Sequence, residues 1–258
     1  MSRVLIMGCP IDSLNMDQTI ARIEEFVKEN KPRQHVVVNV VKIVKMRKDS
    51  HLREIISSCD LINADGMPIV WASKLLGNPL PCRVAGVDLF QKLVKLCSEK
   101  GYRLFFFGAR QWVVEKLVQE FKTTYSDLEV AGYRNGYYSD DEEAGIAEMI
   151  HDSEADMLFV GFSSPKKEKF LNRWMDTMKV PFCMGVGGSF DIIAGRTKRA
   201  PVWMQRYGLE WFYRILQEPK RMWKRYAKTN PVFVWMVVKE YVKHMTHRAW
   251  SMGKRAKR

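Results

Sequence analysis

Apolar residues up to about residue 194 form short runs, and the stretches between the runs have helical spacing. Five runs predict buried parallel strands at 36–40, 61–63, 104–107, 157–160 and 182–186, and a weaker one predicts a sixth near 128–131. Between them apolar residues recur every three or four positions, as at Ile20, Ile23 and Val27, which is typical of amphipathic helices. Strands that alternate with helices predict an α/β fold, a mainly parallel sheet flanked by helices.

The pattern changes after Gly195, where helical stretches follow one another without a strand. Pro201, Pro219 and Pro231 predict the starts of three helices, because proline is tolerated in a first helical turn. The third stretch opens with eight apolar residues, PVFVWMVV, too few to span a bilayer but suited to a helix lying in the membrane interface. We therefore expect an α/β body (1–194), a helical basic appendage (195–248) and a mobile basic tail (249–258).

The net charge of +13 is confined to the appendage and tail. Residues 195–258 hold 17 Lys and Arg against 3 acidic residues, a net charge of +14, so the body is nearly neutral. Five of the eight tryptophans lie in the same region. Basic residues interleaved with aromatic ones predict an anionic partner, which at this point could be nucleic acid, phosphate groups or an acidic membrane surface.

Composition and motifs exclude several classes of protein. The chain has no run of about 18 apolar residues, as a transmembrane helix needs, and its N-terminal apolar run of four residues is too short for a signal peptide. Five cysteines without CxxC spacing indicate a reduced protein rather than a disulfide scaffold or zinc module. The five histidines lack metal-ligand spacing, and neither a P-loop nor GxSxG is present.

Small and polar residues follow the predicted strands, whose carboxyl ends share the sheet edge where ligands bind. Asn39 ends the first strand, GFSSPKK follows the fifth and GVGGS follows the last. Glycine-rich turns let backbone N–H groups approach an anion, although purely structural turns have the same composition. Asp65, in NADGMP, could be a general base, but its position alone favours an N-cap of the next helix. Arg83 could grip a phosphate or be an ordinary surface arginine.

Five segments resemble the WecG/TagA/CpsF glycosyltransferases (glycosyltransferase family 26), over about residues 5–228. They are NADGMPIVWASK, RVAGVDLF, GFSSPKKEKF, GVGGSFDIIAGRTKRAP and GLEWFYRILQEPKR. The resemblance implies a Rossmann-like body with a helical appendage that engages the membrane and closes the active site. It also implies an inverting, metal-independent enzyme of bacterial cell-surface polysaccharide synthesis. Such an enzyme moves a sugar from a UDP-sugar to a polyprenyl-diphosphate-linked saccharide.

The resemblance also implies roles for individual residues. Asp65 matches the family's proposed base, which reverses the N-cap interpretation, and Arg214, Arg221 and Arg225 match appendage arginines that stabilise the leaving diphosphate. The implied substrate-binding residues are Asn39, Arg83, Gly136, Tyr137, Lys167, Gly187 and Asp191, with the uridine near Gly136, Tyr137 and Asp191. Two residues depart from the family pattern, Val37 for a threonine and Lys167 for a sugar-contacting glutamine, which leaves the donor sugar open.

The expected partners are a UDP-sugar, a polyprenyl-diphosphate-linked acceptor and an anionic membrane surface that the appendage contacts. No cofactor, metal or nucleic acid is expected, and a homo-oligomer is left open. The expected location is the cytoplasm, peripheral on the inner face of the cell membrane. Two alternatives remain: a non-enzymatic membrane or nucleic-acid binder, and a nicotinamide-dependent oxidoreductase. The missing GxGxxG after the first strand counts against the oxidoreductase.

Overall fold

The computed structural model describes the backbone of residues 2–255 and the side-chain surroundings of residues 2–246. Its strands are β1 (Arg3–Ile6), β2 (Cys9–Asp12), β3 (Arg33–Val38), β4 (Leu61–Ala64), β5 (Leu104–Gly108), β6 (Val130–Arg134), β7 (Met157–Gly161) and β8 (Phe182–Gly185). Six of them form one parallel sheet in the order β4-β3-β8-β7-β5-β6, and β1 and β2 form a separate antiparallel hairpin. The predicted α/β fold with a parallel sheet is confirmed.

Helices cover both faces of the sheet, as parallel strands require. They are α1 (Met16–Glu29), α2 (Val40–Met46), α3 (Ser50–Ser58), α4 (Met67–Leu75), α5 (Gly86–Lys100), α6 (Gln111–Thr124), α7 (Glu143–Asp152), α8 (Lys166–Met178), α9 (Ser189–Ile193), α10 (Val202–Arg206), α11 (Glu210–Gln217) and α12 (Pro219–Arg255). A short 3-10 turn, Asp140–Glu142, precedes α7. Successive strand residues point to opposite faces: Phe106 packs with aromatic residues of α5, α6 and α9, and Phe105 belongs to the cluster that α7 and α8 form.

All six predicted strands are present, with small shifts at their ends. The run at 36–40 leaves the strand after Val38 because the Asn39 side chain caps α2. The hairpin of β1 and β2 was not predicted, since Pro10 weakens the strand pattern. Its turn at Met7 and Gly8 has positive φ at both residues, as in a type I′ turn.

The three appendage helices are α10, α11 and α12. The predicted starts near Pro201 and Pro219 are confirmed, but the predicted break at Pro231 is wrong, because α12 continues through this proline. Phe233 and Val237, two and six residues beyond it, are buried in the cluster that includes Ile6 and Ile43 of the body, and this packing stabilises the helix across the missing hydrogen bond. The expected tail begins inside α12, and residues 256–258 lie outside the described residues.

The apolar run 231–238 serves two surfaces. One side, with Phe233 and Val237, belongs to the core of the body, whereas Val234, Trp235 and Val238 are exposed. The guanidinium of Arg47 on the body lies over the Trp235 ring, 5.0 Å from its centre, which adds a cation–π contact to this docking. No helix among the described residues is long and apolar enough to cross a membrane.

Gly208 allows the turn before α11 to lie directly on α4. Its φ is +67°, and a Cβ atom there would lie 2.9 Å from the Trp71 ring and 3.0 Å from the Met67 Cβ. A side chain at this position would therefore push the appendage away from the body. Gly77 has a φ of +79°, and a Cβ atom there would have no neighbour within 4 Å. It therefore offers a control with similar backbone strain and no collision.

We predict that Gly208→Ala lowers the free energy of unfolding by more than Gly77→Ala, whose positive φ alone costs about 1 kcal/mol. Urea unfolding measures this difference, and limited proteolysis shows whether the appendage loosens. Equal losses of stability, with equal proteolysis of the appendage, would contradict the close packing of the turn on α4.

Candidate active site

A cleft of about 1130 Å³ lies at the carboxyl edge of the sheet, between the body and the appendage. Its floor comes from the segments that follow β3, β4, β7 and β8, which are neighbours in the sheet. Its other wall comes from α11 and α12. The cleft is therefore formed only when the appendage packs on the body.

Asp65 lies in this cleft directly after β4. Its backbone N–H donates to the carbonyl of Val38, 2.7 Å away, which fixes the residue beside β3. The N-cap of α4 is Gly66 and has no side-chain capping hydrogen bond, so Asp65 does not cap the helix. Its carboxylate is thus available to a ligand in the cleft.

The surroundings of Asp65 favour its protonated form. Removal of the carboxylate from water and the nearby Glu210 raise its pKa, and the cations Arg214 and Arg83 offset part of this increase. A carboxylate with a raised pKa is a stronger base, and residues with perturbed pKa values are common in catalytic sites. The geometry supports the base interpretation over the capping one.

Arg83 connects the body to the appendage instead of lying free on the surface. Its guanidinium donates to the Glu210 carboxylate at 2.5 Å and to the Gln205 side chain at 3.4 Å. A second arginine, Arg199, forms a two-pronged ion pair with Asp88 and lies 3.9 Å from Glu210. These ion pairs hold the start of α11 over Asp65.

The three predicted appendage arginines all line the cleft. Arg214 is on α11, and Arg221 and Arg225 occupy successive turns of α12. Partial removal from water, together with Arg214 and Arg221, lowers the pKa of Arg225. Because like charges gathered in one place repel, this cluster is suited to bind an anion with more than one charge.

The floor of the cleft holds a buried cluster of charges that includes Lys167. Glu168 forms an ion pair with Lys42 at 2.8 Å, and the cations Lys42 and Lys167 together lower the pKa of Glu168 to about 2. The Lys167 ammonium lies farther from the same carboxylate, at 3.9 Å. One carboxylate therefore serves two buried lysines, which leaves net positive charge under the cleft.

The Lys167 side chain lies across the glycine-rich turn after β8. A Cβ atom on Gly185 would come within 2.8 Å of the lysine stem, so a larger residue there would displace this side chain. A Cβ atom on Gly187 would lie 3.1 Å from the ammonium itself. Burial and the neighbouring Lys42 lower the pKa of Lys167 to about 8.

The structure brings most of the predicted substrate-binding residues together. Asn39, Arg83, Lys167, Gly187 and Asp191 line the cleft with Asp65. The carboxamide oxygen of Asn39 accepts a hydrogen bond from the backbone of Lys42, as the N-cap of α2, and Asp191 accepts one from Arg196 at 2.8 Å.

Gly136 and Tyr137 lie outside the lining of the cleft. They follow β6, the far edge strand of the sheet, and β5 separates it from the strands that form the floor. Gly136 donates to the carbonyl of Ala109 after β5, and Tyr137 is exposed. The strand order explains why these two residues are separated from the cleft, because the position of a motif in the sequence does not determine where its strand lies in the sheet.

The chain matches the family model described as "Glycosyl transferase WecG/TagA/CpsF family" over residues 4–247. The chain belongs to this family. It is therefore a glycosyltransferase, which sets aside the interpretations as a non-enzymatic binder and as an oxidoreductase. Fold, family and the position of the cleft agree with one another.

Three relatives share one name, N-acetylglucosaminyldiphosphoundecaprenol N-acetyl-beta-D-mannosaminyltransferase. The chain is 39% identical to that of Bacillus spizizenii, over 72% of this chain and 70% of the relative. It is 37% identical to that of Bacillus subtilis, over 75% and 74%, and 28% identical to that of Staphylococcus aureus, over 92% and 93%. The similarity to the staphylococcal protein thus extends over the body and most of the appendage.

Sequence reasoning missed several residues of this glycosyltransferase site. Glu210, Lys42, Lys45 and Glu168 were not singled out, although Glu210 and Glu168 lie inside quoted segments. Buried charges are rare unless they are paired, and the sequence does not show which charged residues become buried partners. The pairs of Glu210 with Arg83 and of Glu168 with Lys42 therefore became evident only from the structure. Among the described residues, no group of three His, Cys, Asp or Glu side chains is arranged to hold a metal ion.

We predict that the affinity for UDP, used as a diphosphate probe, falls as the pH rises above about 8, because Lys167 loses the proton that makes it a cation. In Lys167→Met the affinity is lower at pH 7 and no longer falls through this range. Lys228→Met also removes a cation that lines the cleft, but keeps the pH dependence. Titration calorimetry between pH 7 and 9 tests this, and an unchanged pH dependence in Lys167→Met would refute it.

Proposed function

We propose that this glycosyltransferase moves an N-acetylhexosaminyl group from a UDP-sugar to an N-acetylglucosaminyl-diphosphoundecaprenol acceptor, with inversion at the anomeric carbon. The observation that carries the proposal is the placement of Asp65 opposite three appendage arginines in one cleft. The names of the three relatives supply the acceptor, and they make N-acetylmannosamine the first donor sugar to test.

In this mechanism Asp65 is the general base. It takes the proton from the acceptor hydroxyl as that oxygen attacks the anomeric carbon, and the bond from this carbon to the UDP oxygen breaks. The raised pKa of Asp65 suits proton abstraction. General base catalysis of this kind contributes a factor of about 10²–10⁴ to the rate.

The leaving UDP takes the bonding electron pair and needs its charge stabilised. Arg214, Arg221 and Arg225 line the cleft on the appendage side, and Lys167 lies on the floor. Cations fixed in place before the reaction stabilise developing charge without a cost of reorganisation. On this account the arginines supply the charge, and the enzyme works without a metal.

The outer surface of the appendage suits attachment to the membrane that carries the acceptor. The exposed large apolar side chains of the appendage that lie outside the cleft lining are Val202, Trp203, Tyr207, Phe212, Leu216, Trp223, Trp235, Tyr241, Val242 and Met245. Lysines and arginines lie between them, and each basic residue near anionic lipid contributes about 1 kcal/mol. We place the enzyme on the inner face of the cell membrane, bound through the appendage.

The decisive assay measures UDP release by the purified chain in EDTA, with a panel of UDP-sugars and an N-acetylglucosaminyl-diphosphate lipid. We expect release that requires the acceptor and is highest with one N-acetylhexosamine donor. Asp65→Asn should abolish release and leave UDP-sugar binding nearly intact, because the amide cannot accept the proton. The exposed Asp17→Asn is the matched control and should behave as wild type.

Loss of binding and of release together in Asp65→Asn would contradict the base assignment. Release that requires an added metal ion would contradict the role given to the arginines.

A further inference from the structure

Part of the cleft is apolar and lies beyond the groups that act at Asp65. We call it the apolar groove; it is bounded by Pro68, Trp71 and Leu75 of α4 and by Phe233, Val234, Val237 and Val238 of α12. These residues line the same cleft as Asp65, so the groove is continuous with the reaction site. The chemistry proposed for the sugar and UDP uses none of them.

The cleft-facing side of α12 changes character along its length. Arg221 and Arg225 come first, then Lys228, Thr229 and Asn230, and the apolar residues of the groove follow. Their spacing of three and four residues places them on one side of the helix. From Arg225 to Val238 the helix rises about 20 Å, at 1.5 Å per residue. A ligand along this side would meet cations, then polar groups, then hydrocarbon.

Part of each wall of the groove is exposed in the folded chain, whereas Phe233 and Val237 at its base are buried. Trp71 is 49% exposed and Val238 is 53% exposed, high values for large apolar side chains that line a cleft. Exposed apolar surface of this kind, next to a polar rim, marks a binding site. The cleft lining on α12 ends at Val238, and the exposed Tyr241 and Met245 lie beyond it.

We propose that the apolar groove binds the isoprenoid tail of the acceptor and that Lys228 meets the acceptor diphosphate. The inference rests on the proposed function, since it names where the lipid part of that acceptor lies. A polyprenyl diphosphate joins an anion directly to a branched hydrocarbon chain, and the groove joins a cation to an apolar surface in the same order. The match of charge and the continuity with the Asp65 site select this occupant.

The tail in the groove determines which end of the acceptor reaches Asp65. With its hydrocarbon between α4 and α12, the acceptor presents its sugar toward the base and its diphosphate toward Lys228. Binding energy from the tail, remote from the reacting atoms, then orients the attacking hydroxyl. The groove therefore links access from the membrane to the position of the reacting sugar.

Titration calorimetry with soluble polyprenyl diphosphates tests the groove without turnover. Dimethylallyl diphosphate carries one isoprene unit and geranylgeranyl diphosphate carries four. We expect the wild-type chain to bind the longer ligand at least about tenfold more tightly, because burial of two methylene groups is already worth about that factor. Val238→Asp and Leu75→Asp, one on each wall, should remove this preference and leave the affinity for dimethylallyl diphosphate unchanged.

Val242→Asp is the matched control. Val242 lies one turn farther along α12, is 54% exposed and is outside the cleft lining, so its substitution should keep the preference for the longer ligand. A wild-type affinity independent of tail length would overturn the proposal. Equal loss of the preference in Val238→Asp and Val242→Asp would also overturn it, as would equal competition by a short-chain phosphatidylglycerol.

A kinetic arm separates this inference from the proposed function. With acceptors of short and long tail, Val238→Asp should raise KM for the long-tail acceptor alone and leave KM for the UDP-sugar unchanged. Absence of UDP release with every acceptor in the wild-type chain would contradict the proposed function. The dependence of binding affinity on tail length would still show whether the apolar groove binds the isoprenoid tail.

Discussion

The ion pair between Arg83 and Glu210 is the contact on which the arrangement of the site depends. It joins the loop between α4 and α5 to the start of α11 and brings a carboxylate of the appendage near Asp65. A partly buried pair of this kind is costly to break, because each charge would remain partly removed from water. The same contact therefore positions the appendage and places beside Asp65 both Glu210, which raises the pKa of its carboxyl group, and Arg83, which lowers it. The Arg199–Asp88 pair beside it is a second ion pair between the appendage and the body.

The site is divided between two parts of the chain. The body supplies Asp65 and the lysines of the floor, whereas the appendage supplies the arginines and one wall of the apolar groove. Phe233 and Val237 fasten the middle of α12 to the body, and the opposite side of the same helix is left exposed. Contact of that exposed side with a membrane would involve the same helix that forms a wall of the active site. Attachment and catalysis would thus be coupled through one helix.

The sheet could be predicted from the sequence because buried parallel strands form continuous apolar runs, and five of the six appeared as such. The sixth, β6, is a partly exposed edge strand and gave only a weak run. Asp65 and the arginines of the appendage were identified through a family resemblance, since position alone favoured an N-cap for Asp65. The path of α12 through Pro231 was missed, because a local rule for proline does not include the packing of Phe233 and Val237 on the body. The distance of Gly136 and Tyr137 from the cleft depends on strand order, and the pairs made by Glu210 and Glu168 depend on tertiary contacts. Neither is encoded in a local pattern.

The central claim is that Asp65 of the body is the base and that Glu210 of the appendage helps to raise its pKa. The most direct measurement is the pH dependence of kcat/KM for UDP release in the wild-type chain and in Glu210→Gln. Removal of the Glu210 charge, which also releases the Arg83 cation, should lower the pKa of Asp65 and move the acid limb of the profile to lower pH. An acid limb that stays in place, or moves to higher pH, would contradict the claim.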